Sequence, residues 1–230
     1  MTADPNPFPR ALSLAVHELR TPVTVVSGYL RMLLREQAGP LSDKQRKMLE
    51  EADRSCARLG ALVAEMSDLG KLESRELALA RQELDVGRLV AELGGQVQEG
   101  RDRGVMLDVR DPTRPMPVSG DRARLSTAVA TLMHAALRER SEPGTIVTEC
   151  SVADGGQPSV IVAIGDASVL EALRGLEHAP PPFDEWRGGL GLALPVARRV
   201  IEAHGGALWS LPGAQARAAS ALRLPLLDTA

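Results

Sequence analysis

Apolar side chains at Leu12, Val16, Leu19, Val23, Val26, Leu30 and Leu33 are separated by alternating steps of 4 and 3 residues. That period keeps one apolar face on a helix, here over about six turns. The pattern predicts a long bundle helix that ends at Gly39-Pro40. Ser42-Asp43-Lys44-Gln45 then reads as a capping box, in which Ser42 and Gln45 satisfy the free amides at the start of a second helix. Its own stripe runs through Gln45, Leu49, Ala52, Cys56, Leu59, Val63 and Met66. Two such helices joined by a short loop form an antiparallel hairpin. One hairpin leaves each stripe half covered, so the expected completion is a second copy, a homodimeric four-helix bundle. Asp68 to Arg75 reads as the hinge out of it, and Cys56 as a small core residue on the stripe.

From Leu77 onward short apolar runs alternate with helical stretches, as in an α+β or α/β sandwich. Strands are predicted near 77–80, 105–109, 145–152, 158–164, 207–211 and 217–224, and helices near 85–99, 121–138 and 191–204. Asp111-Pro112 through Pro117, Gly155-Gly156 and Pro180-Pro181-Pro182 punctuate loops. The fold class is therefore α+β, with an N-terminal helical domain over 8–72 and a C-terminal α/β sandwich over 76–227.

Composition narrows the function. Hydrophobic residues make up 44% of the 230 and charged ones 25%, a balance that buries a core. Aromatics are only 2%, so that core must come from Leu, Val, Ala and Met. A formal net charge of −3 does not resemble the basic field of a nucleic-acid-binding domain, and no nucleic-acid partner is expected. Cys56 and Cys150 have neither CxxC spacing nor a histidine cluster, which predicts no zinc site, no disulfide framework and a reducing cytoplasm. The start lacks a signal-peptide pattern, and no run approaches the roughly 18 apolar residues of a membrane span. Any sensing at a membrane is expected to fall to another chain.

Candidate chemistry begins at His17, one residue past the stripe position Val16 and so on the outward side of the first helix. A neutral ring nitrogen is a nucleophile near neutral pH, and a phosphoryl group held on it can pass onward. Glu18 can orient the ring or accept its proton, and Thr21 lies one turn on. Pro22 removes a helix amide and frees the carbonyl of Glu18, which predicts a bend there. The string His17-Glu18-Leu19-Arg20-Thr21-Pro22 resembles, residue for residue, the phosphoacceptor box of two-component histidine kinases.

A second element, Gly188-Gly189-Leu190-Gly191-Leu192-Ala193-Leu194, precedes a helix and then His204-Gly205-Gly206. Glycines ahead of a helix let backbone amides approach a phosphate at its positive end. Pro195 fits only the first helical turn, so the helix should begin close to Leu192. The string is similar to the glycine box of the Bergerat-type ATPase shared by histidine kinases, gyrases and some chaperones, and the resemblance runs over 77–225. It implies ATP and Mg²⁺ as cofactors, with Asp166 accepting from the adenine amine, Gly189 and Gly191 at the phosphates and Arg138 at a basic position.

This chain departs from that pattern. Thr131 and Ala135 stand where asparagines are expected, and Ser168 and Leu170 where glycines are. Mg²⁺ requires oxygen ligands, which the methyl group of Ala135 cannot supply. Only 22 residues separate Asp166 from Gly189, a short stretch for an ATP lid. These replacements predict an ATPase-like fold in which Mg-ATP binding is weakened or lost. Among the other histidines, His134 is expected on a surface, His178 in a loop, and His204 as a cation capping the end of a helix. No metal cluster emerges.

The resemblance implies a signalling protein that passes a phosphoryl group through His17 to or from the aspartate of a response-regulator receiver domain, with an upstream sensor kinase as a further partner. The alternative is a pseudokinase scaffold that binds a receiver domain or kinase without transfer.

Overall fold

The computed structural model describes residues 8–74, 78–153, 157–185, 189–211 and 219–227. The chain divides into two compact units, Met1–Leu77 and Ala78–Ala230. The loop expected at Gly155-Gly156 lies outside the described residues, as do Arg75, Leu77 and Gly188.

The first unit is a hairpin of α1 (Phe8–Leu34) and α2 (Asp43–Glu73). Its turn is built from local chemistry. Glu36 and Gly39 take positive φ, 58° and 113°, which reverses the chain. Arg46 pairs with Glu36 and donates from Nη1 to the Leu34 carbonyl at 3.4 Å, setting a cation at the negative end of α1. The capping box forms: the Gln45 amide donates to Ser42 Oγ at 3.4 Å, and the Ser42 amide to Gln45 Oε1 at 2.9 Å. α1 continues as helix through Pro22. α2 continues to Glu73, so most of the segment read as a hinge, 68–73, is the last part of that helix.

The heptads separate into two seams. Val16, Cys56 and Val63 are buried and Val23, Leu30 and Leu49 half-buried, forming the seam between the two helices. Cys56 reaches the Val23 carbonyl with its Sγ at 3.6 Å. The intervening stripe positions point away from it: Leu19, Val26 and Leu59 are 44%, 51% and 53% exposed.

The second unit opens with β1 (Gln82–Asp85) and α3 (Val86–Gln96), followed by β2 (Val105–Val109), β3 (Pro117–Gly120) and α4 (Arg122–Glu139). It continues through β4 (Gly144–Ala153), β5 (Ser159–Gly165), α5 (Leu170–Gly175), α6 (Ala193–Ala203), β6 (Ala207–Ser210) and β7 (Ser220–Pro225). β1 and β3 pair antiparallel, and a five-stranded sheet has the order β2-β4-β5-β7-β6, with only β2 and β4 parallel. Alternation sorts the sheet's faces. Val147, Ile161, Ala163, Ala221 and Trp209 meet Leu170 and Leu173 of α5 on one. Val160, Val162, Ile164, Leu222 and Leu224 are buried on the other. There Gly206 brings the Ile201 side chain of α6 close to that of Leu224, and Gly94 of α3 sits on Val109.

The strand expected at 77–80 is corrected: 78–80 have no regular structure and the strand is β1. β3 and α5 were not anticipated. His204 also differs from expectation. It is 4% exposed, its Nδ1 donates to the Val200 carbonyl at 2.7 Å, and its Nε2 accepts the Asp121 amide at 2.9 Å. Burial pushes its pKa down, so the ring is a neutral tie between the end of α6 and the start of α4, and not a cationic cap.

Candidate functional site

His17 owes its position to the seam behind it. Val16, Val23 and Leu30 hold α1 against α2, and the next residue along from Val16 turns outward. The His17 side chain is 78% exposed, with its Nδ1 3.4 Å from Glu18 Oε1, at the outer limit of a hydrogen bond. A proton on Nδ1 directed at Glu18 leaves Nε2 with a free lone pair facing solvent; this tautomer is assigned from the contact. Thr21 is exposed one turn on. At about 100° per residue, Leu14, Thr21, Gly28 and Met32 fall within about 60° of His17, whereas Leu19 and Val26 fall on the opposite side. Leu14 and Met32 are 64% and 49% exposed, and nothing lies within 4 Å of the point where a Gly28 side chain would begin. The ring therefore stands on an open, partly apolar face, apart from the outward seam.

In the second unit the proposed nucleotide residues are held by other partners. Asp166 directly follows β5, and its carboxylate pairs with Arg140. Arg138 projects from α4 onto Glu99, Nε to Oε1 3.2 Å, and His134 faces the other oxygen of Glu99 at 3.7 Å. Ala135 is fully buried, and the Thr131 hydroxyl donates to the Thr127 carbonyl at 2.8 Å. Gly189 and Gly191 are exposed, with φ of 60° and 59°, ahead of α6, whose start has no side-chain cap. α6 begins at Ala193, in keeping with Pro195 in its first turn.

Leu170 explains the short segment after Asp166. With Leu173 it is buried against the sheet, and Trp209 Nε1 donates to the Leu173 carbonyl at 2.9 Å, fastening α5 down. The residues do not fit a Mg²⁺·nucleotide. Ala135 has no oxygen to offer, Thr131 has only a hydroxyl held to its own helix, and among the described residues no group of three or more His, Cys, Asp and Glu could hold a metal. Arg140 was not singled out in the sequence; the Glu142-Pro143-Gly144 turn that follows it is the signal available there. Cys150 is inert, since burial pushes its thiol up to about 12. His178 is exposed beside Glu177 at 3.5 Å.

The family profile of the His Kinase A (phospho-acceptor) domain matches residues 10–75. Similar proteins include the circadian input-output histidine kinase CikA of Synechococcus elongatus, 27% identical over 207 residues covering 85% of this chain and 27% of CikA. The histidine protein kinase DivJ of Caulobacter vibrioides is 27% identical over 225 residues, 95% of this chain and 37% of DivJ. The chain thus spans roughly a quarter to two fifths of the length of these relatives. Full-length ShkA, solved in complex with AMPPNP, superposes with a TM-score of 0.72 at 20% identity over 96% of this chain and 47% of ShkA. Acinetobacter baumannii AdeS gives 0.53 at 22% identity over 93% of this chain and 98% of AdeS. At these identities the two structures speak for the fold. Among the described residues no helix is long and apolar enough to cross a membrane.

Proposed function

We propose that this chain, matched by the His Kinase A (phospho-acceptor) domain over residues 10–75 and similar to histidine kinases over most of its length, is a phosphotransfer protein of the two-component histidine kinase family, loaded at His17 from a phosphorylated receiver domain and not from its own ATP. The first unit acts as the dimerisation and phosphotransfer domain, and the second keeps an ATPase-type fold as a structural or docking module. The observation that carries this reading is the exposed His17 ring beside Glu18, set against a second unit in which one replaced asparagine position is a buried alanine and the other a hydroxyl held to its own helix.

His17 Nε2 attacks the phosphorus of an aspartyl phosphate on the receiver. The phosphorus–nitrogen bond forms as the phosphorus–oxygen bond to the aspartate breaks, and the aspartate leaves as a carboxylate. The ring proton passes from Nδ1 to the Glu18 carboxylate. The reverse sequence delivers the group to a second receiver. Docking uses the face of α1 that holds Arg20, Thr21, Gly28 and Met32, where the missing Gly28 side chain leaves room. Dimerisation uses the opposite seam at Leu19, Val26 and Leu59. Receiver domains and reduced Cys56 and Cys150 thiols both suit the cytoplasm.

The test is mutational. Phosphate on the protein is expected to be labile in acid and stable in base, and His17→Gln to abolish it with the dimer intact. Persistence of acid-labile phosphate in that variant would rule His17 out.

A further inference from the structure

We propose that Arg140 is a resident plug at the nucleotide-like face: its guanidinium occupies Asp166 in place of an amine-bearing base, and so closes the second unit to nucleotides. This deepens the reading that the unit supplies no phosphoryl group, and rests on it.

The plug is built at its root, along its length and at its tip. Arg140 is the residue directly after α4, and its amide donates to the Ala136 carbonyl at 3.3 Å. Its own carbonyl accepts from Arg103 Nη1 at 2.8 Å, and Arg103 Nη2 donates to the Leu137 carbonyl at 3.0 Å. The backbone below the side chain is thereby pinned. The guanidinium then spends all three nitrogens: Nε on the Glu142 carbonyl at 3.0 Å, Nη2 on the Pro143 carbonyl at 3.4 Å and Nη1 on the Asp166 carboxylate. Room for it exists because residue 144 is glycine. Gly144 has a φ of 152°, and a side chain there would begin 2.2 Å from Nη2 and 2.8 Å from Cζ of Arg140. The Glu142-Pro143-Gly144 turn is a cradle for this one group.

Energetics favour the resident. Arg140 and Asp166 are opposite charges joined by a hydrogen bond, whereas a base amine brings no charge of its own. Its binding would leave a partly buried guanidinium without its counter-ion. The face still carries polar groups for a heterocycle. Thr148 and Ser220 are fully buried, and their hydroxyls have no partner among the described residues. Both lie in one cross-strand row with Ile164, two residues before Asp166. With the guanidinium removed, Asp166 and these hydroxyls suit an adenine nucleoside, and no metal is needed to hold it.

Titration of the full chain with adenosine and with ATP, with and without Mg²⁺, tests this. The unmodified protein should show no binding into the millimolar range. Arg140→Met, which keeps the apolar stem, should gain about tenfold or more in affinity for both ligands, equally with and without Mg²⁺. Micromolar binding by the unmodified chain overturns the plug, and so does a folded Arg140→Met protein that gains nothing. If Arg140→Met does not fold by circular dichroism, Arg140→Gln reports instead. It keeps a polar group beside the Glu142 and Pro143 carbonyls but removes the charge that pairs with Asp166, and it must show the same gain. Transfer from a phosphorylated receiver to His17, measured on the same samples, separates the two ideas: its loss contradicts the proposed function alone.

Discussion

A neutral imidazole carries one donor and one acceptor, and its surroundings decide what either does. At His17 one nitrogen faces Glu18 and the other faces solvent, so removing the carboxylate should slow chemistry without disturbing the fold. Glu18→Gln is expected to reduce the transfer rate by about 10²-fold or more, as for loss of a positioned proton acceptor, with an unchanged circular dichroism spectrum. At His204 both nitrogens are committed, to Val200 and Asp121, and burial lowers the pKa below the ordinary 6.5. The unfolded chain then binds the proton more readily than the folded one. Stability from the neutral ring is complete above pH 6.5 and is lost as pH falls from there through the lower folded value. The Asp121 carboxyl, held below its usual 3.8 by the Arg124 and Ala80 amides against its own burial, contributes only at lower pH. Urea midpoints between pH 7.5 and 5 should therefore fall for the unmodified protein and fall less for His204→Ala. At pH 7.5 the same substitution should cost about 1–3 kcal/mol, since it leaves the Asp121 amide buried without an acceptor. A midpoint that does not respond to pH in this window would contradict the assignment. The position of His204 was legible in the sequence, at a helix end before two glycines, but its charge depends on burial among residues distant in the chain.

Among the elements, the long helices were the most legible, because Leu12 to Leu33 and Leu49 to Met66 repeat one period without interruption. The division of each stripe into an inner and an outer seam became visible only with burial, and it predicts two kinds of failure. Val63→Asp puts a charge into the seam between α1 and α2 and should unfold the hairpin. Val26→Asp charges the outward seam and should leave the hairpin helical while converting a dimer to monomers. Light scattering with circular dichroism distinguishes the two, and a helical dimer for Val26→Asp would contradict the proposed interface. Shorter elements were illegible for specific reasons. β1 buries only Leu84 among four residues, so it carries no alternating signal, and β3 begins with Pro117 and ends with Gly120. α5 spans less than two turns between the end of β5 and a run of prolines. In the candidate site, His17 and Glu18 were legible because adjacency in sequence is adjacency in space. Arg140 and Asp166 are 26 residues apart and meet only through the fold.

On the scale of the whole molecule, the proposed phosphoacceptor hairpin is joined to an α/β unit whose replaced positions are filled from within. Thr131 bonds to its own helix, Ala135 lies in the core, Arg138 goes to Glu99 and Arg140 to Asp166. Phosphoryl transfer from ATP relies on metal ions to neutralise developing charge, and here Ala135 has no oxygen while the Thr131 hydroxyl and the Asp166 carboxylate are engaged within the protein. A carboxylate leaving group on a receiver domain needs no such site in this chain. The most direct test compares the two loading routes on one preparation. Incubation with labelled Mg-ATP should leave His17 unlabelled, and incubation with a labelled phospho-receiver domain should place acid-labile, base-stable phosphate on it. Labelling from ATP alone, with none from the receiver, would contradict the account.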